Sequence, residues 1–296
     1  MLVPGATERG KDDPRLVAFA TSLARARFMV LVPDIESLRA LTIGPEDSGR
    51  IADALRHLGG RGEVPKPDAL GLVAISYAVG PAILAALAPD LHARVRFVLA
   101  VGGYYDMTAA VTFFTTGRYR EDPRAPWRRK TPNAFGKWVF LRANAGRLEN
   151  DRDRWLLDAM ARRKLADLDA PLDDLAARLG PEGRSVLALL VNKDPGAVPA
   201  LIAALPDKVR SDMMALDLSR ADLSRLAAEL ILLHGRDDAI IPYTESQALA
   251  AAAPAGRATL YLVGNLSHVE LGPGSLPDAL RLLAATYHLL ALRDRD

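Results

Sequence analysis

Six short apolar runs punctuate the chain: Met1 to Val3, Phe28 to Pro33, Leu70 to Ile75, Val95 to Val101, Leu230 to Leu233 and Thr259 to Val263. Each has the length of a buried strand. Between the first four lie helical patterns, Pro14 to Ala26, Pro45 to Leu58 and Pro81 to Ala88. Two more helices, Thr244 to Ala253 and Leu276 to Leu292, accompany the last two runs. Alternating strand and helix predict an α/β fold with a doubly wound, mostly parallel sheet. The alternation fails once, from Met107 to Leu226, where no strand is predicted and Pro123, Pro126, Pro132, Pro171, Pro181, Pro195 and Pro206 break a series of helices. This divides the chain into a core, 1–106 and 227–296, and a helical insertion, 107–226. An insertion between two core strands belongs over the C-terminal edge of the sheet, where α/β ligands bind, so it is read as a lid.

Composition narrows the function. Of 296 residues, 50% are hydrophobic and 25% charged, enough for one large core. The net charge is only +2, which gives no global attraction for nucleic acid. No cysteine is present, which excludes disulfides, thiolate catalysis and cysteine zinc sites. No apolar run reaches the length of a membrane span, and no leader pattern opens the chain, so the sequence as written reads as cytoplasmic. The insertion holds all three tryptophans and four of the seven phenylalanines. Its stretch from Arg118 to Lys164 has fourteen Lys or Arg against six Asp or Glu. Such a stretch reads as solvated helix faces or as an attraction for anions.

The chemistry centres on "GLVAISYAVGPAILAAL", Gly71 to Leu87, which places Ser76 between a strand and a helix, with Ala74 and Ala78 on either side. A serine at such a corner either caps the helix or is thrown out of the sheet as a nucleophile. A nucleophilic hydroxyl requires a base, and the base an orienting carboxylate. Both follow at the ends of later strands, Asp238 in "HGRDDAIIP" and His268, thirty positions on, in "GNLSHVELGPG". The order Ser76, Asp238, His268 is that of nucleophile, acid and base in α/β-hydrolases.

On these residues the chain resembles the α/β-hydrolase superfamily of serine esterases. The segment "HGRDDAIIP" resembles the family's acid loop, which assigns the acid to Asp238 and leaves Asp237 as a turn residue; "SHV" resembles its histidine loop. "VPGATERG" resembles the oxyanion loop, which implies the backbone amides of Ala6 and Tyr77 as the two oxyanion donors. The resemblance implies a carboxylesterase acting on a small hydrophobic ester, with no metal or organic cofactor, no nucleic-acid partner and no membrane span. A lipase, an amidase or peptidase, or a silent ligand-binding protein on the same fold are its alternatives. The family's first strand hairpin is missing: either the true start lies upstream of Met1, which leaves export or anchoring open, or the hairpin was lost. Its absence leaves the Phe28 to Pro33 strand as a bare edge through which two copies are expected to pair.

Apolar and aromatic side chains line most small-molecule pockets. Tyr104, Tyr105, Phe113 and Phe114 directly follow the strand Val95 to Val101, which makes them the expected substrate-binding residues. His234, ahead of the acid loop, is expected to be structural.

Overall fold

The computed structural model describes residues 1–64, 68–264, 266–267, 270–271 and 275–294. In chain order the strands are β1 (Leu2–Val3), β2 (Leu70–Ile75), β3 (Val95–Val101), β4 (Arg118–Tyr119), β5 (Arg128–Arg129), β6 (Glu229–Gly235), β7 (Ala258–Val263), β8 (Leu266–Ser267) and β9 (Glu270–Leu271). The helices are α1 (Pro14–Arg25), α2 (Glu36–Arg39), α3 (Glu46–Gly59), α4 (Val79–Ala86), α5 (Met107–Thr116), α6 (Ala134–Asn144), α7 (Asp151–Ala166), α8 (Asp173–Ala176), α9 (Pro181–Val191), α10 (Val198–Ala203), α11 (Asp207–Ala215), α12 (Thr244–Ala252) and α13 (Leu276–Asp294).

A parallel five-stranded sheet, β1-β2-β3-β6-β7, forms the centre. Successive side chains on a strand point to opposite faces, and the apolar runs fill both. Val3, Leu72, Ala74, Val98, Ala100, Leu230 and Leu232 meet Ile51 and Leu55 of α3, Ile83 of α4 and Leu249 of α12. Leu2, Val73, Leu99, Val101, Ile231 and Val263 meet Leu16 and Leu23 of α1 and Leu289 of α13. Continuous rather than alternating hydrophobicity is what a sheet covered on both faces requires.

One predicted strand is not formed as such. Residues 28–33 form no regular element, and among the described residues they meet β1 through a backbone bond from the Leu2 amide to the Leu31 carbonyl, 2.9 Å. β1 is only two residues long, and Pro33 has no N–H to donate, so no ladder extends along the segment. It lies half-buried at the sheet edge, with only Met29 exposed.

The insertion runs from the end of β3 to the start of β6, strands adjacent in the sheet, and holds α5 to α11. It has its own apolar cluster around Trp138, Leu141, Leu156, Leu157 and Met160. Against expectation it also contains a short antiparallel ribbon, β4 with β5, pairing Arg118 with Arg129 and Tyr119 with Arg128. Gly117 makes the ribbon possible. At φ +71° it ends α5 in a left-handed turn, and its carbonyl accepts from the Lys130 amide at 2.9 Å. A Cβ there would lie 2.3 Å from the Lys130 carbonyl oxygen. Among the described residues, no helix is long and apolar enough to cross a membrane.

Candidate active site

Strand β2 ends at Ile75, and the next residue, Ser76, opens a short 3-10 turn that runs into α4, at φ +57°. A left-handed serine costs about 1–2 kcal/mol, strain of the kind concentrated at functional sites. The corner has the form of a nucleophile elbow, with Ser76 half-buried. The loop after β1 lies directly on it: a Cβ on Gly5 would stand 3.2 Å from the Ile75 carbonyl oxygen and 3.4 Å from the Ser76 Cβ. A glycine at position 5 therefore lets the Ala6 amide approach the elbow. Tyr77 is the second residue of the helical turn, where the first amides have no acceptor within the helix. Among the described residues, neither the Ala6 nor the Tyr77 amide donates to a backbone carbonyl outside the regular elements.

The Tyr77 side chain turns inward. Its ring stacks on Tyr104 at 6.3 Å, and its hydroxyl donates to Asp47 at 3.2 Å. Burial, with Tyr104 and Asp47 nearby, holds that phenol protonated far beyond the usual range. Asp47 is fully buried and also accepts from Ser37, from Arg50 at 3.2 Å and from the Gly44 amide at 3.3 Å. The residue after the candidate nucleophile is thus anchored to α3.

At the end of β6 the two aspartates separate. Asp237 is exposed, whereas Asp238 is fully buried. The Asp238 Oδ1 accepts from the Ile240 amide at 2.7 Å and the Ile241 amide at 2.9 Å, and its Oδ2 stands 3.4 Å from His234 Nε2. Two amides on one oxygen fix the orientation of the carboxyl group. His234 is wholly enclosed. Its Nε2 donates to the Ile241 carbonyl at 3.0 Å, which leaves Nδ1 to accept from the Ser246 hydroxyl at 2.7 Å. Both ring nitrogens are occupied in holding the acid loop to α12, as the structural role expected for His234 requires. His268, the expected base, lies outside the described residues.

The expected substrate-binding residues fall into two groups. Tyr104 is 2% exposed and donates its hydroxyl to the Leu216 carbonyl at 3.0 Å, and Phe113 is 0% exposed, edge-on to Tyr119. Both are packed core, with no surface turned to a ligand in this conformation. A bulky ring immediately after a central strand is drawn inward by the apolar layer it meets. Tyr105 and Phe114 are half-buried, Phe114 edge-on to Phe140. A cleft of about 580 Å3 opens beside the oxyanion loop, lined among others by Thr7, Arg9, Arg15 and Leu41. A groove of about 480 Å3 lies at the opposite end, where β2, β3 and β6 begin at Leu70, Val95 and Glu229.

Several of the insertion's basic side chains are locally paired: Arg128 with Glu121, Arg142 and Arg162 with Asp158, Arg147 with Asp212, and Arg163 with Asp174. The reading of solvated helix faces accounts for these.

Two clasps escaped the sequence reading. Glu245 on α12 is 3% exposed and accepts from the Tyr105 amide at 3.0 Å and the Asp106 amide at 2.8 Å. Burial, with Asp106 and Asp217 adding, pushes its carboxyl up to about 8. Lys130 reaches across from the insertion to the acid loop, donating to the Arg236 carbonyl at 2.6 Å and the Asp238 carbonyl at 3.2 Å. Neither position carries a local signal, because the partners are backbone groups more than a hundred positions away.

Solved structures similar to the chain include a meta-cleavage product hydrolase (CumD) from Pseudomonas fluorescens IP01, 18% identical over 81% of this chain and 72% of that one, TM-score 0.36. Another is the rice cell wall degrading esterase LipA from Xanthomonas oryzae, 12% identical over 86% of this chain and 67% of that one, TM-score 0.43. The likeness is one of fold. No family model matches, and no curated protein does.

Proposed function

We propose that the chain is a serine hydrolase of the α/β-hydrolase type that cleaves a carboxylic ester of a hydrophobic substrate through an acyl-enzyme. The observation that carries this is the left-handed Ser76 between β2 and α4. Strain at that one residue, with the oxyanion loop against it and a buried, doubly hydrogen-bonded Asp238 at the same edge of the sheet, supports nucleophilic chemistry over helix capping.

In this reading the Ser76 Oγ attacks the acyl carbon while His268 takes its proton. Asp238 holds the imidazole in the required tautomer. The amides of Ala6 and Tyr77 receive the oxyanion, each worth about 2.7–4 kcal/mol of transition-state stabilisation. His268 then protonates the leaving alkoxide, and water, activated by the same imidazole, releases the acid. The insertion acts as a roof over the site, with Tyr105 and Phe114 as candidate acyl contacts.

Hydrolysis of p-nitrophenyl esters of graded acyl length, with Ser76→Ala as control and a fluorophosphonate probe for Ser76, tests the proposal. Ester turnover that survives Ser76→Ala, or a Ser76 inert to the probe, would overturn it. A homodimer through the edge segment 28–33 belongs to the same proposal, and a monodisperse monomer in sedimentation velocity would remove it.

A further inference from the structure

The loop that carries Asp238 is seated from two directions. From within, the Ile240 and Ile241 amides hold the carboxylate. From outside, three of its carbonyls are taken by the insertion: Arg236 and Asp238 by the Lys130 ammonium, and Ala239 by the Asn133 amide at 2.9 Å. Lys130 is in turn fixed through its own amide to Gly117, and Asn133 caps α6, its side chain accepting from the Gly136 amide at 2.8 Å.

The same insertion is pinned on the far side of the elbow. Asn144, the last residue of α6, accepts from the Ile43 amide at 3.1 Å and donates to the Leu41 carbonyl at 3.1 Å. The insertion therefore spans from the acid loop to the loop before α3, a bridge fastened at both ends. A cation with three donors can satisfy two carbonyls at once, and no neutral side chain of that length does so from one atom.

We propose that Lys130 is a positioning residue for the catalytic acid, so that the insertion completes the triad rather than merely covering it. This rests on the serine-hydrolase reading. Removing the ammonium releases the Arg236 and Asp238 carbonyls and lets the acid loop turn. A misplacement of about 1 Å in such a group costs up to roughly a hundredfold in rate.

The test compares Lys130→Met, which keeps the length and loses the donors, with Lys130→Arg, which keeps donors, on p-nitrophenyl butyrate. Amide exchange of segment 236–243 is followed in parallel. In Lys130→Met, kcat is expected to fall about 10- to 100-fold with KM within about twofold, and the Ile240 and Ile241 amides to exchange faster. Lys130→Arg is expected to recover most of both. A folded Lys130→Met with wild-type kcat and exchange overturns the proposal, as does a loss that Lys130→Arg fails to relieve. Should Lys130→Met not fold, Lys130→Leu, which also lacks a donor, is read by the same criteria. If wild type cleaves no ester and Ser76 takes no fluorophosphonate, it is the hydrolase reading that fails. Exchange at Ile240 and Ile241 then still decides whether Lys130 holds the loop.

Discussion

Strand β6 and the ribbon β4–β5 both end beside Asp238, yet they are held there in unlike ways. β6 lies between β3 and β7, paired to each over five or more residues, with Leu230, Ile231 and Leu232 fully buried. The ribbon has two residues a side, Arg128 and Arg129 are exposed, and its place is set by side-chain clasps. Arg128 donates to the Tyr243 hydroxyl at 3.0 Å, Tyr243 donates to Glu121 at 3.2 Å, and Lys130 holds the loop itself. Apolar burial acts over the whole strand and tolerates small changes, whereas a clasp depends on single groups whose loss leaves a polar partner unsatisfied. The core is thus built for persistence and the insertion for placement.

The sharpest separation between the two regions is expected in catalysis. On the proposed function, Ser76→Ala and His268→Ala should each reduce ester turnover by about 10^6-fold, because members of a catalytic triad act as one unit and their losses do not add. Asp238→Asn should cost about 10^4-fold through the wrong imidazole tautomer. Asp237→Asn, at an exposed position, should leave kcat/KM nearly unchanged. Steady-state kinetics on p-nitrophenyl butyrate reads all four; a dead Asp237→Asn beside an active Asp238→Asn would reverse the acid assignment.

Phe113 tests where the insertion's root becomes core. Fully enclosed between α5 and Tyr119, it should cost about 3–5 kcal/mol of stability when truncated to alanine. The loss of activity should be the same from acetate to octanoate. Phe114→Ala, at a half-buried position, should lose more on longer chains, by up to about 0.8 kcal/mol per methylene no longer covered. Equal losses at every length for Phe114→Ala would remove it from the acyl site.

Glu245 ties the root of the insertion to α12 and makes that tie depend on pH. Its folded carboxyl titrates near 8 against 4.5 for the unfolded chain. Between those values the native state holds a proton that the unfolded state has released, so its contribution to stability falls as pH rises through the window. The full difference is on the order of 5 kcal/mol. The Met1 amine, pushed down to about 5 by burial, has the opposite slope over the same range. The quantity to measure is therefore the difference between wild type and Glu245→Gln in urea midpoints from pH 5 to 9. A constant difference would show that Glu245 is ionised in the native state as in the unfolded chain throughout that range.

The smallest expected effect is at the far end of the bridge. Asn144→Ala leaves the Leu41 carbonyl and Ile43 amide without their partner, at about 1–3 kcal/mol. Limited proteolysis of the insertion should speed up more than global unfolding does. Equal changes in both would mean that the insertion and the core unfold as one unit.

The doubly wound sheet was legible because each strand announces itself locally, as a short apolar run of three to seven residues followed by a helical pattern. Ser76 and Asp238 stood out as candidates for the same reason, since one directly follows such a run and the other comes five positions after one. The chain could not show that Phe28 to Pro33 forms no strand, because that depends on how little of β1 there is to pair with. Nor could it show that half of the insertion's aromatics serve its surface: Trp127 and Trp155 are 38% and 56% exposed, with Arg120 and Arg178 laid over their rings. What the tertiary structure alone decided is which polar groups meet. Lys130 with the Arg236 carbonyl, Asn144 with Leu41 and Glu245 with Asp106 are encounters across 103 or more positions, through backbone atoms that every residue carries alike. Apolar periodicity is written residue by residue, whereas a side chain bound to a distant carbonyl leaves no mark at the position that accepts it.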